Sequence, residues 1–198
     1  FVAFIGSGAN LVGNALVGTP QLYVRDLQLG TTELVSQGVG GVGYAVNTFT
    51  APGLSADGQV VVFDAGDGQL TPGDNNGVSD IFLYDFSNAT LRRISVSSGG
   101  TQANGPSEAP DLSPDGRFIA FSSAASNLVA GDVNGYPDIF LHDLGRSALI
   151  RVSVSTFKAE GNDGSSMPAV ASGGRVVAFA SVADNLTSGD RNFSKDIF

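Results

Sequence analysis

The chain has 198 residues and a net charge of −9, from 10 Lys and Arg against 19 Asp and Glu. That balance offers no basic face to double-stranded nucleic acid or to anionic lipid, and suits cations instead. There is no cysteine, which excludes thiolate zinc sites, iron–sulfur clusters and disulfides, and the single histidine rules out a multi-histidine metal site.

The length allows one or two domains. No apolar run reaches the roughly 18 residues of a membrane span. The 27 glycines, with loops rich in Ser, Asn, Thr and Asp, suit a secreted or periplasmic bacterial β-protein. Because Phe1 already falls inside a strand, the gene product is expected to begin earlier, and the preceding segment could carry a signal.

In chain order the same pattern returns four times. Phe1-Val2-Ala3-Phe4 opens it, and Val60-Val61-Val62-Phe63, Phe118-Ile119-Ala120-Phe121 and Val176-Val177-Ala178-Phe179 repeat it. The last three closing phenylalanines are 58 residues apart (121 − 63 and 179 − 121). A fixed period of this kind marks a repeat architecture. The last three copies continue through a Gly-Asp-x-Asn loop into an Asp-Ile-Phe strand. The third copy reads most clearly. A strand over 109–113 ends in the tight-turn sequence Pro114-Asp115-Gly116, and further strands follow over 117–122, 138–143 and 149–155. Nothing shows sustained helical periodicity, so the chain is expected to be all-β.

Four sequential antiparallel strands per repeat form the blade of a β-propeller. The excess over the common blade length of about 40–45 residues falls in two links, residues 123–137 and 156–167. Both emerge on one rim, where binding sites are expected. The predicted domain organisation is a single β-propeller segment over 1–198. A partial blade covers 1–50, complete blades 51–108 and 109–166, and a partial blade 167–198. Two complete and two partial blades do not close a ring, so the chain is expected to be part of a longer protein or assembly.

The run Pro-x-Leu-Ser-x-Asp-Gly followed by Phe, present over Pro52–Phe63 and Pro110–Phe121, resembles the TolB-type, WD-like propeller repeat, as do the Asp-Ile-Phe and Val-Ser-Val strands after it. Ser172-Gly173-Gly174 replaces the turn in the fourth copy. The resemblance implies a propeller scaffold and little about chemistry, because that scaffold serves binding proteins and protease gating domains alike.

The candidate site residues are the recurring loop oxygens: Asp74, Asn76 and Asp80; Asp132, Asn134 and Asp138; Asp190, Asn192 and Asp196. Oxygen ligands at this spacing suit a hard cation such as Ca²⁺. The competing reading is a network of Asx turns without metal. An EF-hand is excluded. Asp85 and Asp143 fall at its twelfth position, but residues 81–84 and 139–142 are strand, which puts them about 16 Å too far along. The first copy has Ala15, Val17 and Gln21 at these positions, and no ion is predicted there.

Asp26, Asp85 and Asp143 are expected to accept from turn amides, and His142 to face solvent. No Gly-x-Ser-x-Gly elbow accompanies the lone histidine, which argues against a serine hydrolase within the segment. Glu33, Glu108 and Glu160 have no repeat counterpart, and Glu108 with Asp111 is read as loop solvation rather than a glycosidase pair. Phe63, Phe82, Phe121, Phe140 and Phe179 are expected in the core. Tyr44, Phe49, Tyr136, Phe157 and Phe193 are candidate rim anchors for a protein partner, or less well for a glycan. Asn88, Asn185 and Asn192 form Asn-x-Ser/Thr sequons. The function expected is a non-catalytic, extracytoplasmic scaffold for protein–protein association with calcium-ordered loops. The alternative is a propeller module of a larger peptidase or other hydrolase.

Overall fold

The computed structural model describes residues 1–198 other than 9, 39, 40, 42, 47–49, 67 and 69. Fourteen strands and one short 3₁₀ turn, Ser172–Gly174, are assigned among them, with no α-helix. The first sheet contains β1 (Val2–Gly6), β2 (Gln21–Asp26) and β3 (Thr31–Leu34). The second contains β4 (Gly53–Leu54), β5 (Val60–Ala65), β6 (Asp80–Asp85) and β7 (Thr90–Arg93). In the third are β8 (Ser107–Leu112), β9 (Phe118–Ser123), β10 (Asp138–Asp143) and β11 (Ala148–Arg151). The fourth has β12 (Ser165–Val170), β13 (Val177–Ser181) and β14 (Asp196–Ile197). Every sheet is an antiparallel meander in chain order.

Alternation along each strand sends side chains to opposite faces, so a sheet apolar on both faces must be covered twice. Val61 and Phe63 of β5 join Leu22 and Val24 of the first sheet in one core. Val62 points the other way, into a core shared with Leu112, Ile119 and Phe121 of the third. Phe118 and Leu141 meet Val170 of the fourth. The sheets therefore stack face to face in sequence. Each sheet also carries one stacked aromatic pair between neighbouring chain segments: Phe4–Tyr23, Phe63–Phe82, Phe121–Phe140 and Phe179–Phe198, with centroids 5.5 to 5.8 Å apart.

Three strands of the third copy differ from expectation, and the one expected over 117–122 is shifted by a single residue, to Phe118–Ser123. The strand expected over 149–155 leaves the ladder after Arg151, because Val154 N–H turns back to the Val152 carbonyl (2.7 Å) and Ser155 bonds to Ala159. The same three-residue turn recurs at Gln37→Val35 and Val96→Ile94. The strand expected over 109–113 begins at Ser107 and contains a bulge between Glu108 and Asp111. Ala109 adopts φ +53° there, and Met167 adopts φ +52° in the matching bulge of β12.

Candidate functional site

The two long links of the second and third repeats lie together on one rim. Asn134 Nδ2 donates to the Gly161 carbonyl (3.0 Å), and its counterpart Asn76 Nδ2 to that of Ala103 (3.0 Å). Asn127 and Asn185 tie each rim to the following sheet, donating to the Gln102 and Glu160 carbonyls (both 2.8 Å). Asn185 thus has a structural task whatever its sequon implies.

All three predicted oxygen sets are brought together. In each, the asparagine Oδ1 accepts an amide two residues on: Val78 (3.1 Å), Tyr136 (3.0 Å) and Ser194 (2.9 Å). Its Nδ2 donates to the later aspartate, at 2.9 Å for Asp80 and 3.0 Å for Asp138 and Asp196. These are Asx turns. In the second and third sheets an arginine from the outermost strand enters the set. Arg93 Nη1 lies 3.0 Å from Asp74 Oδ1 and 3.5 Å from Asp80 Oδ2. Arg151 Nη1 lies 3.3 Å from Asp132 Oδ1 and 3.2 Å from Asp138 Oδ2, and it pairs with Glu160. Gln102 Nε2 takes the place of Glu160 in the second set, donating to Asp74 Oδ1 (2.6 Å).

Sequence reasoning missed these partners. The signal was present, since Arg93 and Arg151 are one period apart, as are Gln102 and Glu160. In the first repeat the whole group is exchanged at once. Gln21, Leu34 and Gly43 stand where Asp80, Arg93 and Gln102 stand later. Gln21 fills the space so fully that a Cβ on Gly43 would meet its Nε2 at 1.8 Å. Arginine is lost where the aspartates are lost, as expected of a neutralising partner.

Burial raises the Asp74 carboxyl, with Asp80 adding to the shift and Arg93 opposing it. Burial and the neighbouring Asp138 do the same to Asp132, against Arg151. Burial also opposes ionisation of Glu160, yet the Val133 amide and the Arg151 guanidinium hold it below its usual value. Asp132, Asp138 and Glu160 place carboxylate oxygens within 4.8 Å of one another, a spacing that could hold a metal ion.

His142 is buried rather than solvent-facing, at 9% exposure. It shares a strand face with Phe140, so the second sheet covers it, and its Nδ1 has no hydrogen-bond partner among the described residues. At the same repeat position Arg25 and Tyr84 are half-buried. Asp26 and Asp143 accept turn amides as expected, and so does Asp85. Asp143 is also gripped by Arg117 at 3.0 and 2.9 Å. Of the rim aromatics, Phe157 is 93%, Phe193 78% and Tyr136 43% exposed. Tyr44 instead packs against the core between the first two sheets, and Phe49 lies outside the described residues.

Neither a protein-family model nor a curated protein sequence matches this chain. Solved structures do match its fold. TolB from Acinetobacter baumannii is 21% identical with a TM-score of 0.56, over 98% of this chain and 36% of that one. The tricorn protease is 17% identical with a TM-score of 0.53, over 99% and 15%. An oligogalacturonate lyase from Vibrio parahaemolyticus is 10% identical with a TM-score of 0.54, over 91% and 46%. The chain therefore spans less than half the length of each. Stacked antiparallel meanders of this kind make it a β-propeller protein. Its fold is similar to that of the TolB propeller.

Proposed function

We propose that this chain is a non-catalytic scaffold segment of a larger, extracytoplasmic propeller and associates with a protein partner through its loop-rich rim. In this reading the two four-stranded sheets are complete blades of about 58 residues, and the two three-stranded sheets are partial ones. The observation that carries the reading is Phe193. Its backbone is at φ +53°, where the two matching positions are Gly77 and Gly135, and its ring is 78% exposed. A left-handed conformation in a residue with a Cβ costs on the order of 1–2 kcal/mol, and strain of that kind persists mainly at functional positions. Phe157 projects from the same rim. Aromatic side chains so presented are suited to anchoring an interface. The glycine-rich composition and the loops rich in Ser, Asn, Thr and Asp support an extracytoplasmic location.

Calcium enters this reading first at the third-sheet set, where Asp132, Asp138 and Glu160 exceed Arg151 by two negative charges. It also enters at Asp190, Asn192 and Asp196, where no arginine opposes the two aspartates among the described residues. The second set exceeds Arg93 by one. The test is the mass of the native assembly: Phe157→Ser with Phe193→Ser should release the protein from it while leaving the melting temperature unchanged or higher. Retention in the assembly would refute the reading.

A second reading, a propeller module attached to a hydrolase, is favoured by the shared fold of the tricorn protease. It predicts peptidase activity in the full-length protein that survives substitution of the rim aromatics.

A further inference from the structure

Asparagine or aspartate stands directly before glycine at seven places: Asp57, Asp67, Asn76, Asn104, Asp115, Asn134 and Asp163. Such a pair can close a five-membered ring. The glycine nitrogen attacks the side-chain carbonyl carbon, and no Cβ on the glycine stands in the way. In a folded protein the ring closes where the structure brings the two groups together.

At five of the seven places the fold holds them apart. Asp57 and Asp115 accept from amides two residues on, Gln59 (3.0 Å) and Arg117 (3.3 Å). The amides of Gly58 and Gly116 are already given to the Ser55 and Ser113 carbonyls, at 2.9 and 2.8 Å. Asn76 and Asn134 are fixed by their Asx turns. Asn104 is clamped to Ser126, accepting its N–H at 2.9 Å and donating to its Oγ at 3.0 Å. Asp67 lies outside the described residues.

Asp163 differs from all of these. Gly164 N–H donates to Asp163 Oδ1 at 2.6 Å, so the side chain is folded back onto the nitrogen that would attack it. That N–H has no other acceptor among the described residues. The chain on both sides is held in place. The Gly164 carbonyl accepts from Val182 N–H (3.1 Å) and Ser181 Oγ (3.2 Å), and Ser165 N–H donates to the Pro137 carbonyl (2.8 Å). Asn162 is tied to Asp184 and Asn185 at 2.7 and 3.0 Å. One period earlier the same two places hold Gly105 and Pro106, which offer neither the carboxyl nor the N–H.

We infer that Asp163–Gly164 is a site of spontaneous covalent modification, at which the folded chain isomerises through a cyclic imide to isoaspartate. The Gly164 nitrogen bonds to Asp163 Cγ and gives up its proton, while the C–O bond of the protonated carboxyl breaks and its oxygen leaves as water. Water then opens the imide at either carbonyl. Opening at Cγ restores aspartate. Opening at the main-chain carbonyl leaves the backbone running through Cβ and Cγ, one atom longer at the step into β12. The water consumed equals the water released, and no oxidant or cofactor takes part. The product carries a free α-carboxylate, the group that isoaspartyl methyltransferases esterify with S-adenosylmethionine.

Trypsin isolates the site, because residues 159–175 contain no other aspartate. The folded protein is incubated in mildly acidic buffer below its melting transition and then digested. Mass spectrometry and methyl transfer by an isoaspartyl methyltransferase follow the products. Peptide 159–175 should first show an imide one water lighter, then a methyl-accepting isomer of unchanged mass. Both should form at least about tenfold faster than in peptide 94–117, which holds Asp115-Gly116 and Asn104-Gly105. In guanidinium chloride that preference should vanish. Gly164→Ala should slow the conversion several-fold with the melting curve still cooperative, since the added Cβ would meet Pro137 Cδ at an ordinary 3.5 Å. An unmodified 159–175 peptide, equal conversion of 94–117 in the folded protein, or a preference that persists in the unfolded chain would each overturn the assignment.

Discussion

Arg151 Nη1 lies 3.2 Å from Asp138 Oδ2, with the arginine side chain 10% and the aspartate side chain 0% exposed. The pair joins the outermost strand of the third sheet to the start of its neighbour, and Arg93 and Asp80 repeat it one period earlier at 3.5 Å. A buried pair of this kind costs much to break and little to replace whole. Arg151→Met should therefore destabilise by about 3–5 kcal/mol, because it strands the buried carboxylates of Asp132 and Asp138. Urea denaturation measures the loss. Combining Arg151→Met with Asp138→Asn should cost less than the sum of the two single changes, since the pair is in contact.

The two aspartates of a set are not equivalent. Asp138 accepts from Ser153, Asn134 and Arg151. Among the described residues Asp132 pairs with the arginine alone, and its carboxyl is raised by burial first and Asp138 second. A raised folded value means the charged form is disfavoured in the fold. Its protonated form therefore stabilises below the unfolded value of 3.8, and that benefit fades as pH rises through the folded value. Asp132→Asn at pH 7 should change stability by less than about 1 kcal/mol in either direction, whereas Asp138→Asn should cost about 1–3 kcal/mol. Paired denaturation curves decide between this ranking and equal roles.

Calcium can be separated from arginine by one substitution. Glu160→Gln converts the third set into the second, where Gln102 already occupies that place. A melt of the parent protein in EGTA and again in millimolar Ca²⁺ should show a calcium-specific rise, with Mg²⁺ as control, by mass action on the folded state. The variant should lose the part of that rise owed to the third-sheet set. No shift in the parent would leave Arg151 as the only cation of the set.

The fold was legible because period-2 alternation and turn residues repeat on a 58-residue frame. Strand 138–143 needed no correction, and strand 117–122 moved by one residue. The oxygen sets were equally legible as positions. Their electrostatics were not, because Arg151 and Glu160 lie 13 and 22 residues beyond Asp138 and only the antiparallel ladder brings them back. His142 was misplaced for a related reason. Its neighbours on β7 are distant in sequence, and a polar residue beside Asp143 reads as a surface residue until the second sheet covers it.

His142 is the only histidine, so its titration can be observed alone. Burial depresses its value first, the cationic Arg92 of β7 adds to this, and Asp143 opposes it. Its proton resonances should titrate with a midpoint below 6.5. Because the folded value is depressed, the fold favours the neutral ring. Stability should fall as pH drops from above 6.5 toward the folded midpoint, and level off below it. His142→Leu should flatten the melting temperature across that window. A midpoint at or above 6.5 would contradict the buried placement.

Phe193 sets stability against association. Its φ of +53° is one that glycine adopts freely, and a Cβ at the matching Gly135 or Gly77 would meet nothing within 4 Å. The position is therefore strained in backbone but open in space, and the neighbouring sheet does not fill it where that sheet is present. Phe193→Gly should stabilise the protein by roughly 0.5–1 kcal/mol once glycine's own entropy cost is deducted, a rise of about 1–4 °C in melting temperature. The reverse change, Gly135→Phe, should lower it comparably. If the rim is the interface, the stabilised Phe193→Gly protein should also be the one that leaves its native assembly, because the strain is retained for the ring it presents. A variant that melts higher and stays assembled would show that the exposed ring contributes nothing to association.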